Sequence, residues 1–200
     1  MTKLHESASQ TAGPYVHIGC FPNFCGVSGV YAQDLGAQMV NENTIGDRIS
    51  ITGTVFDGTG NALKDAMVEI WQADANGIYA GGDPRGNLDP NFSGWGRKAG
   101  DDETGIWRFD TIKPGPVPHR DGHMMAPHIT FWVVARGINI GLHTRMYFPE
   151  EDAANAQDPV LARIEHKNRI STLIATYESD GMYQFNIHLQ GPQETVFFDV

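Results

Sequence analysis

The side chains in this sequence best placed to do chemistry are histidines at short spacing and an arginine at the end of an apolar run. His128-Ile129-Thr130 opens the stretch HITFWVVARGINIGLHTRMYF, which ends at Phe148. In an extended chain, side chains two apart share a face, so a His-x-His here would aim two imidazoles at one metal ion. This sequence offers one imidazole and one hydroxyl. His119 and His123 precede them in a Pro/Gly loop, where spacing fixes little geometry, and no Cys or Glu stands beside them at ligand spacing. A metal hydrolase built from His119, His123, His128 and His143 is therefore a rival reading. For His5, His17, His119, His123, His166 and His188 an ordinary solvated histidine is the favoured reading. Arg136 follows the apolar strand, where a partly shielded guanidinium could form a bidentate bond to a carboxylate; a solvated arginine at a hairpin end is the bland alternative. Gly13-Pro14 is equally two-sided, since bare backbone can approach a ligand closely or simply turn.

Several classes of function are excluded. No Gly-x-Ser-x-Gly elbow, phosphate-binding loop or dinucleotide fingerprint occurs. A net charge of -10, with only 14 Lys and Arg and no basic cluster, argues against a nucleic-acid backbone or an anionic membrane as partner. Asp101-Asp102 and Glu150-Glu151 fall where turns and first helical turns favour acids for local reasons. Cys20 and Cys25 read as free thiols, because a lone pair builds neither a disulfide framework nor a four-ligand zinc site. The N-terminus lacks the apolar core of a signal peptide and no apolar run approaches a membrane span, which points to the cytoplasm.

The elements that must position these residues are mostly strands. At 200 residues the chain fits one domain with a sizeable core, and 23 Gly and 11 Pro favour strands joined by turns. Residues 1–48 show little periodicity and read as a long arm lying on another surface. Residues 48–56 alternate at period two, and the turn at 57–61 predicts a hairpin with a return strand over 66–73. Residues 80–100 read as one long irregular loop, 106–112 as a strand, and 113–127 as loop. The stretch from His128 to Phe148 is a hairpin. Helices are expected from Pro149 and again from Asp158, at the sandwich edge, followed by strands over 183–190 and 195–200. Roughly seven strands without βαβ alternation indicate a mostly β, single-domain β-sandwich.

A series of motifs in order across nearly the whole chain resembles the intradiol ring-cleaving dioxygenases. They include Ser9-Gln10-Thr11-Ala12-Gly13-Pro14-Tyr15, Val68-Glu69-Ile70-Trp71-Gln72-Ala73-Asp74, Leu88-Asp89-Pro90-Asn91-Phe92 and Thr111-Ile112-Lys113-Pro114-Gly115-Pro116. Ala126-Pro127-His128-Ile129, Ala135-Arg136-Gly137-Ile138-Asn139-Ile140, His143-Thr144-Arg145 and Glu194-Thr195-Val196-Phe197-Phe198 continue the series. Iron-bearing members of this family hold a non-haem ferric ion with two tyrosines and two histidines. The resemblance places those ligands at Pro84, Val117, His128 and Thr130, so three of the four are lost. A single imidazole without the oxygen donors this hard cation prefers cannot hold it.

The resemblance therefore implies a supporting subunit that binds no metal. Its partner would be a homologous iron-bearing beta subunit, in higher alpha-beta oligomers, carrying the non-haem Fe(III). The implied reaction is intradiol cleavage of 3,4-dihydroxybenzoate by dioxygen to 3-carboxy-cis,cis-muconate. It further implies that Gly13 and Pro14 line the substrate pocket, with Thr11 and Tyr15 close by and Arg136 at its edge. An aromatic acid approaching so acidic a protein needs a local positive group, since Coulomb attraction at about 4 Å is worth several kcal/mol near a protein surface. Residues 1–48 would then pack on the partner, and 49–200 would form the sandwich with a helical insertion at about 149–175. The alternative is a non-enzymatic binding module that kept the same fold.

Overall fold

A computed structural model describes residues 8, 10–13 and 15–199. In chain order it contains a short helix α1 (Tyr15–Cys20), then β1 (Arg48–Phe56), β2 (Met67–Trp71), β3 (Trp95–Ala99), β4 (Ile106–Ile112), β5 (Val117–Pro118) and β6 (Met124–Met125). The hairpin β7 (His128–Val134) and β8 (Leu142–Tyr147) follows. A 3-10 turn (Pro149–Glu151) runs into α2 (Asp152–Asn155), and two more 3-10 segments (Leu161–Arg163, Lys167–Leu173) precede β9 (Thr176–Ser179), β10 (Met182–Gln184) and β11 (Ile187–His188).

Two sheets make a sandwich. One has the order β3-β2-β7-β8, every neighbour antiparallel. The other is organised on β1, which pairs antiparallel with β4 on one side and parallel with β10 and β11 on the other. Ile49, Ile51, Val55, Trp107 and Phe109 of the second sheet pack against Val68, Ile70, Ile129, Phe131, Val133 and Met146 of the first, all buried. The ring of Phe131 lies 5.5 Å from that of Trp107 and 5.1 Å from that of Phe185. Burying each such side chain contributes about 1.5–3 kcal/mol, which makes this interior the main source of stability.

The hairpin expected between β1 and β2 does not form. Asp57 Oδ1 does organise a tight turn, accepting from the N–H groups of Thr59 (2.8 Å) and Asn61 (2.9 Å). Pairing then stops after a single bridge, Phe56 to Ala62. Each strand carries its own apolar face, and the two faces are buried in one core across the sandwich. The chain therefore crosses from one sheet to the other.

Other departures have local causes. Residues 80–100 contain β3, held in register by Arg97, whose guanidinium lies 2.6 Å from Glu69 on β2. Gly96 interrupts its apolar pattern because the strand passes close to the core, where a Cβ would sit 2.6 Å from Met39 Sδ. The loop at 113–127 contains the small ribbon β5–β6. The expected helices are mostly 3-10, since Leu161, Leu173 and their neighbours are gathered into a satellite cluster around Tyr147 and Ala126 rather than along one regular helix face. The strand expected over 195–200 reduces, among the described residues, to one bridge between His143 and Phe198. The arm is not wholly free: Met39 is buried and Val40 bridges to Phe92.

The strand over 183–190 is broken into β10 and β11 at Phe185-Asn186. Phe185 N–H donates to Thr52 O (2.8 Å) and Asn186 Oδ1 accepts from Thr54 N–H (3.1 Å), so the break straddles Gly53. A Cβ at Gly53 would lie 2.0 Å from the Phe185 carbonyl oxygen and 2.4 Å from Trp107. Gly53→Ala is expected to cost about 2 kcal/mol or more through overpacking against backbone. Denaturant unfolding of the variant would check this, and an unchanged midpoint would contradict it.

Candidate functional site

The alternation of β7 sends Ile129, Phe131 and Val133 into the core and leaves His128, Thr130 and Trp132 on the outer face of the four-stranded sheet. Across the ladder His128 faces Tyr147, Thr130 faces Arg145, and Trp132 faces His143. His128 is 3% exposed. Its Nδ1 lies 2.8 Å from Ala126 O, which fixes that nitrogen as the donor, while Nε2 has no partner among the described residues. Burial, reinforced by the positive charge of Arg145, lowers its pKa to about 4, so the ring is neutral at pH 7. Tyr147 is buried beside it, and burial raises its phenol well above the ordinary range.

The other positions to which the resemblance assigns metal ligands supply no second imidazole and no phenol. Val117 is buried in an apolar cluster with Ala73 and Met125. Thr130 lines a cleft that Met125 and Arg145 also line. Pro84 is exposed, in a turn where Asp83 and Arg85 pair with each other. One ring nitrogen, one hydroxyl and two hydrocarbon side chains do not fit a ferric ion, and the Arg145 charge that disfavours a proton on His128 would equally disfavour a metal cation. Among the described residues, no group of three or more His, Cys, Asp and Glu is placed to hold a metal. His119 is not the solvated loop residue it seemed, since its ring is mostly covered and its Nδ1 lies 2.8 Å from Asp121 Oδ1.

At the far end of β7 the arm meets the hairpin. Thr11 Oγ1 accepts from Gly137 N–H (2.7 Å) and donates to Ala135 O (3.3 Å), which pins the arm beside Arg136. Gly13, His17 and Arg136 then line one cleft of about 420 Å³ with Asp65 and Asp102. Tyr15 begins α1 next to it and is 81% exposed. Pro14 lies outside the described residues. The structure thus brings Thr11, Gly13 and Arg136 together. It also reveals a partner that sequence reading missed: Asp65, which forms an ion pair with Arg136 Nε. The Arg136 side chain is 72% exposed, so the pair is screened by water and is worth little. His17 is half-buried at the cleft wall with its pKa lowered by burial, against the opposing pull of Asp65 and Asp102.

Residues 21–191 match the dioxygenase family, and the chain belongs to it, in its intradiol branch. It is 46% identical over 199 residues to the protocatechuate 3,4-dioxygenase alpha chain of Pseudomonas putida, covering 98% of this chain and 97% of that one. It is 37% identical to the protocatechuate 3,4-dioxygenase beta chain of Burkholderia cepacia, over 82% of this chain and 77% of that one. Among solved structures, the intradiol ring-cleavage dioxygenase of Tetranychus urticae superposes with a TM-score of 0.56 at 22% identity, over 80% of this chain and 89% of that one, a likeness of fold.

His128 carries a consequence for acid stability. Its folded pKa of about 4 lies below the ordinary 6.5, so the unfolded chain takes up a proton there first as pH falls. Stability from this residue is complete above pH 6.5 and is lost progressively towards pH 4, on the order of 3 kcal/mol in all. His128→Gln is expected to flatten the dependence of unfolding free energy on pH across that window. Parallel curves for the two proteins would remove the buried neutral ring as the cause.

Proposed function

We propose that this chain is the iron-free alpha-type subunit of a cytoplasmic protocatechuate 3,4-dioxygenase, working with a homologous beta subunit that holds the non-haem Fe(III), in higher alpha-beta oligomers. The observation that carries the reading is near full-length identity to an alpha chain in a protein whose own ligand positions hold no ferric donor set. The reaction supported is ring opening of 3,4-dihydroxybenzoate between its hydroxyl-bearing carbons by dioxygen, giving 3-carboxy-cis,cis-muconate. This chain's part is binding and positioning. Thr11 fixes the arm, Gly13 offers backbone without bulk, Pro14 is assigned to the same pocket, Tyr15 projects outward, and Arg136 supplies the charge for the substrate carboxylate.

The Asp65 pair is compatible with that role. An exposed ion pair contributes roughly 0–1 kcal/mol, so a planar carboxylate able to take two guanidinium hydrogen bonds can share or displace it. Residues 1–48 are assigned to partner contact, with 49–200 as the sandwich and its helical edge at about 149–175. Support comes from the apolar side chains that the arm leaves exposed, Tyr15, Phe24, Val30, Tyr31 and Leu35 among them.

Two measurements test the proposal. The chain is expected to co-purify with an iron-bearing beta partner and to bind no stoichiometric iron by itself; separate elution would leave a binding module as the better description. In the reconstituted enzyme, Arg136→Ala is expected to raise KM for 3,4-dihydroxybenzoate about tenfold, the equivalent of roughly 1.4 kcal/mol, and to leave KM for catechol nearly unchanged. Equal effects on both substrates would refute carboxylate recognition by Arg136.

A further inference from the structure

A second cleft lies on the outer face of the four-stranded sheet, between β7–β8 and the 3-10 segments that follow α2, and encloses about 730 Å³. That size is ordinary for a small-molecule site. Its charge is unlike the rest of the chain. Four arginines, Arg120, Arg145, Arg163 and Arg169, line it against two carboxylates, Glu165 and Asp199, in a protein of net charge -10.

The arginines are not equivalent. Arg169 is paired with Glu194 at 2.9 Å, and Arg163 reaches Asp121 at 3.9 Å. Arg145 is half-buried yet has, among the described residues, no carboxylate at ion-pair distance. Its Nη1 donates to Met125 Sδ at 3.4 Å, a weak acceptor, and its guanidinium lies 5.9 Å from the centroid of the Phe198 ring. The nearest buried carboxylate, Asp158, already accepts from the N–H groups of Ala126, Val160 and Leu161. The Tyr147 phenol also lies within reach of Arg145, yet a half-buried guanidinium with five donors and only a thioether and one phenol as side-chain acceptors is an incomplete hydrogen-bonding group.

From this geometry we propose that the cleft binds a small aromatic carboxylate, its carboxylate on Arg145 and its ring between Met125, Val160 and Phe198. The Thr130 hydroxyl, directly across the ladder from Arg145, offers one more polar contact. The site is separate from the Arg136 cleft. Six residues of extended chain from Thr130 to Arg136 span roughly 20 Å, too far for one such ligand to touch both. No metal takes part and no bond is made or broken, so the function is recognition, an effector or storage site for an acid of the same class as the proposed substrate.

The test is equilibrium dialysis of the alpha-beta complex with benzoate, with phenol as neutral control, while the visible absorption of the ferric centre is followed. Two classes of benzoate site per iron are expected, one that perturbs the spectrum and one that is silent. Arg145→Lys, which keeps the charge but loses the planar fork, is expected to weaken the silent class about tenfold, and Arg145→Gln to weaken it further, with the spectroscopic class retained. One class per iron, a silent class unchanged in both variants, or phenol bound as tightly as benzoate would each overturn the proposal. Counting per iron rests on the reading that this chain joins an iron-bearing partner. The full chain alone is expected to bind one benzoate that Arg145→Gln removes, so the two readings fail separately.

Discussion

The two-sided character of β7 is the constraint on which the rest of the molecule depends. Ile129, Phe131 and Val133 must face inward to meet Trp107, Phe185 and their neighbours, and that choice alone turns His128, Thr130 and Trp132 to the opposite face. A slip of one residue would exchange the two sets and expose the largest apolar side chains of the sandwich. Core packing therefore fixes where any chemistry on this sheet can happen. It also explains how His128 is placed: its orientation is dictated by the core residues on either side of it in β7.

The outer face is built around positive charge and hydrocarbon. Val117 fills space with Ala73 and Met125, Thr130 sits across from Arg145, and Asp158 ties the segment before β7 to the 3-10 turns through three backbone N–H groups. A buried carboxylate that accepts three hydrogen bonds is a satisfied structural group, whereas the bare Nε2 of His128 is an unmet cost of about 1–3 kcal/mol. Removing the ring would open a cavity beside Tyr147, whose ring centroid lies 5.7 Å away.

What could be read in the sequence follows the strength of local pattern. β1 and β4 announce themselves by alternation, β7 by a nearly unbroken apolar run, and β8 as its return after the Arg136-Gly137 turn. β3 does not, because Gly96 replaces an inward side chain where Met39 of the arm fills the space, an interaction between residues far apart in the chain. The false hairpin after β1 shows the same limit. Asp57 and Asn61 encode the turn faithfully, but which sheet the next strand joins is decided by face-to-face packing. At the candidate site, motif resemblance brought Thr11, Gly13 and Arg136 forward. Asp65, His17 and the want of a carboxylate beside Arg145 among the described residues had no signal, since each depends on neighbours that sequence spacing does not relate.

The way the second sheet closes has a bearing on synthesis. β1 is its central strand, yet its neighbours on one side are β10 and β11, supplied by residues 182–188, far along the chain from β1. A growing polypeptide can pair β1 with β4 early, but one row of β1 backbone donors and acceptors stays open until residues 182–188 have been made. Such an edge, flanked by Ile49, Ile51 and Val55, is a template for pairing with another copy. Long-range parallel closure of this kind is slow because the loop entropy is spent before the contacts form. The interval between making β1 and covering it is the window in which this protein is most exposed to aggregation.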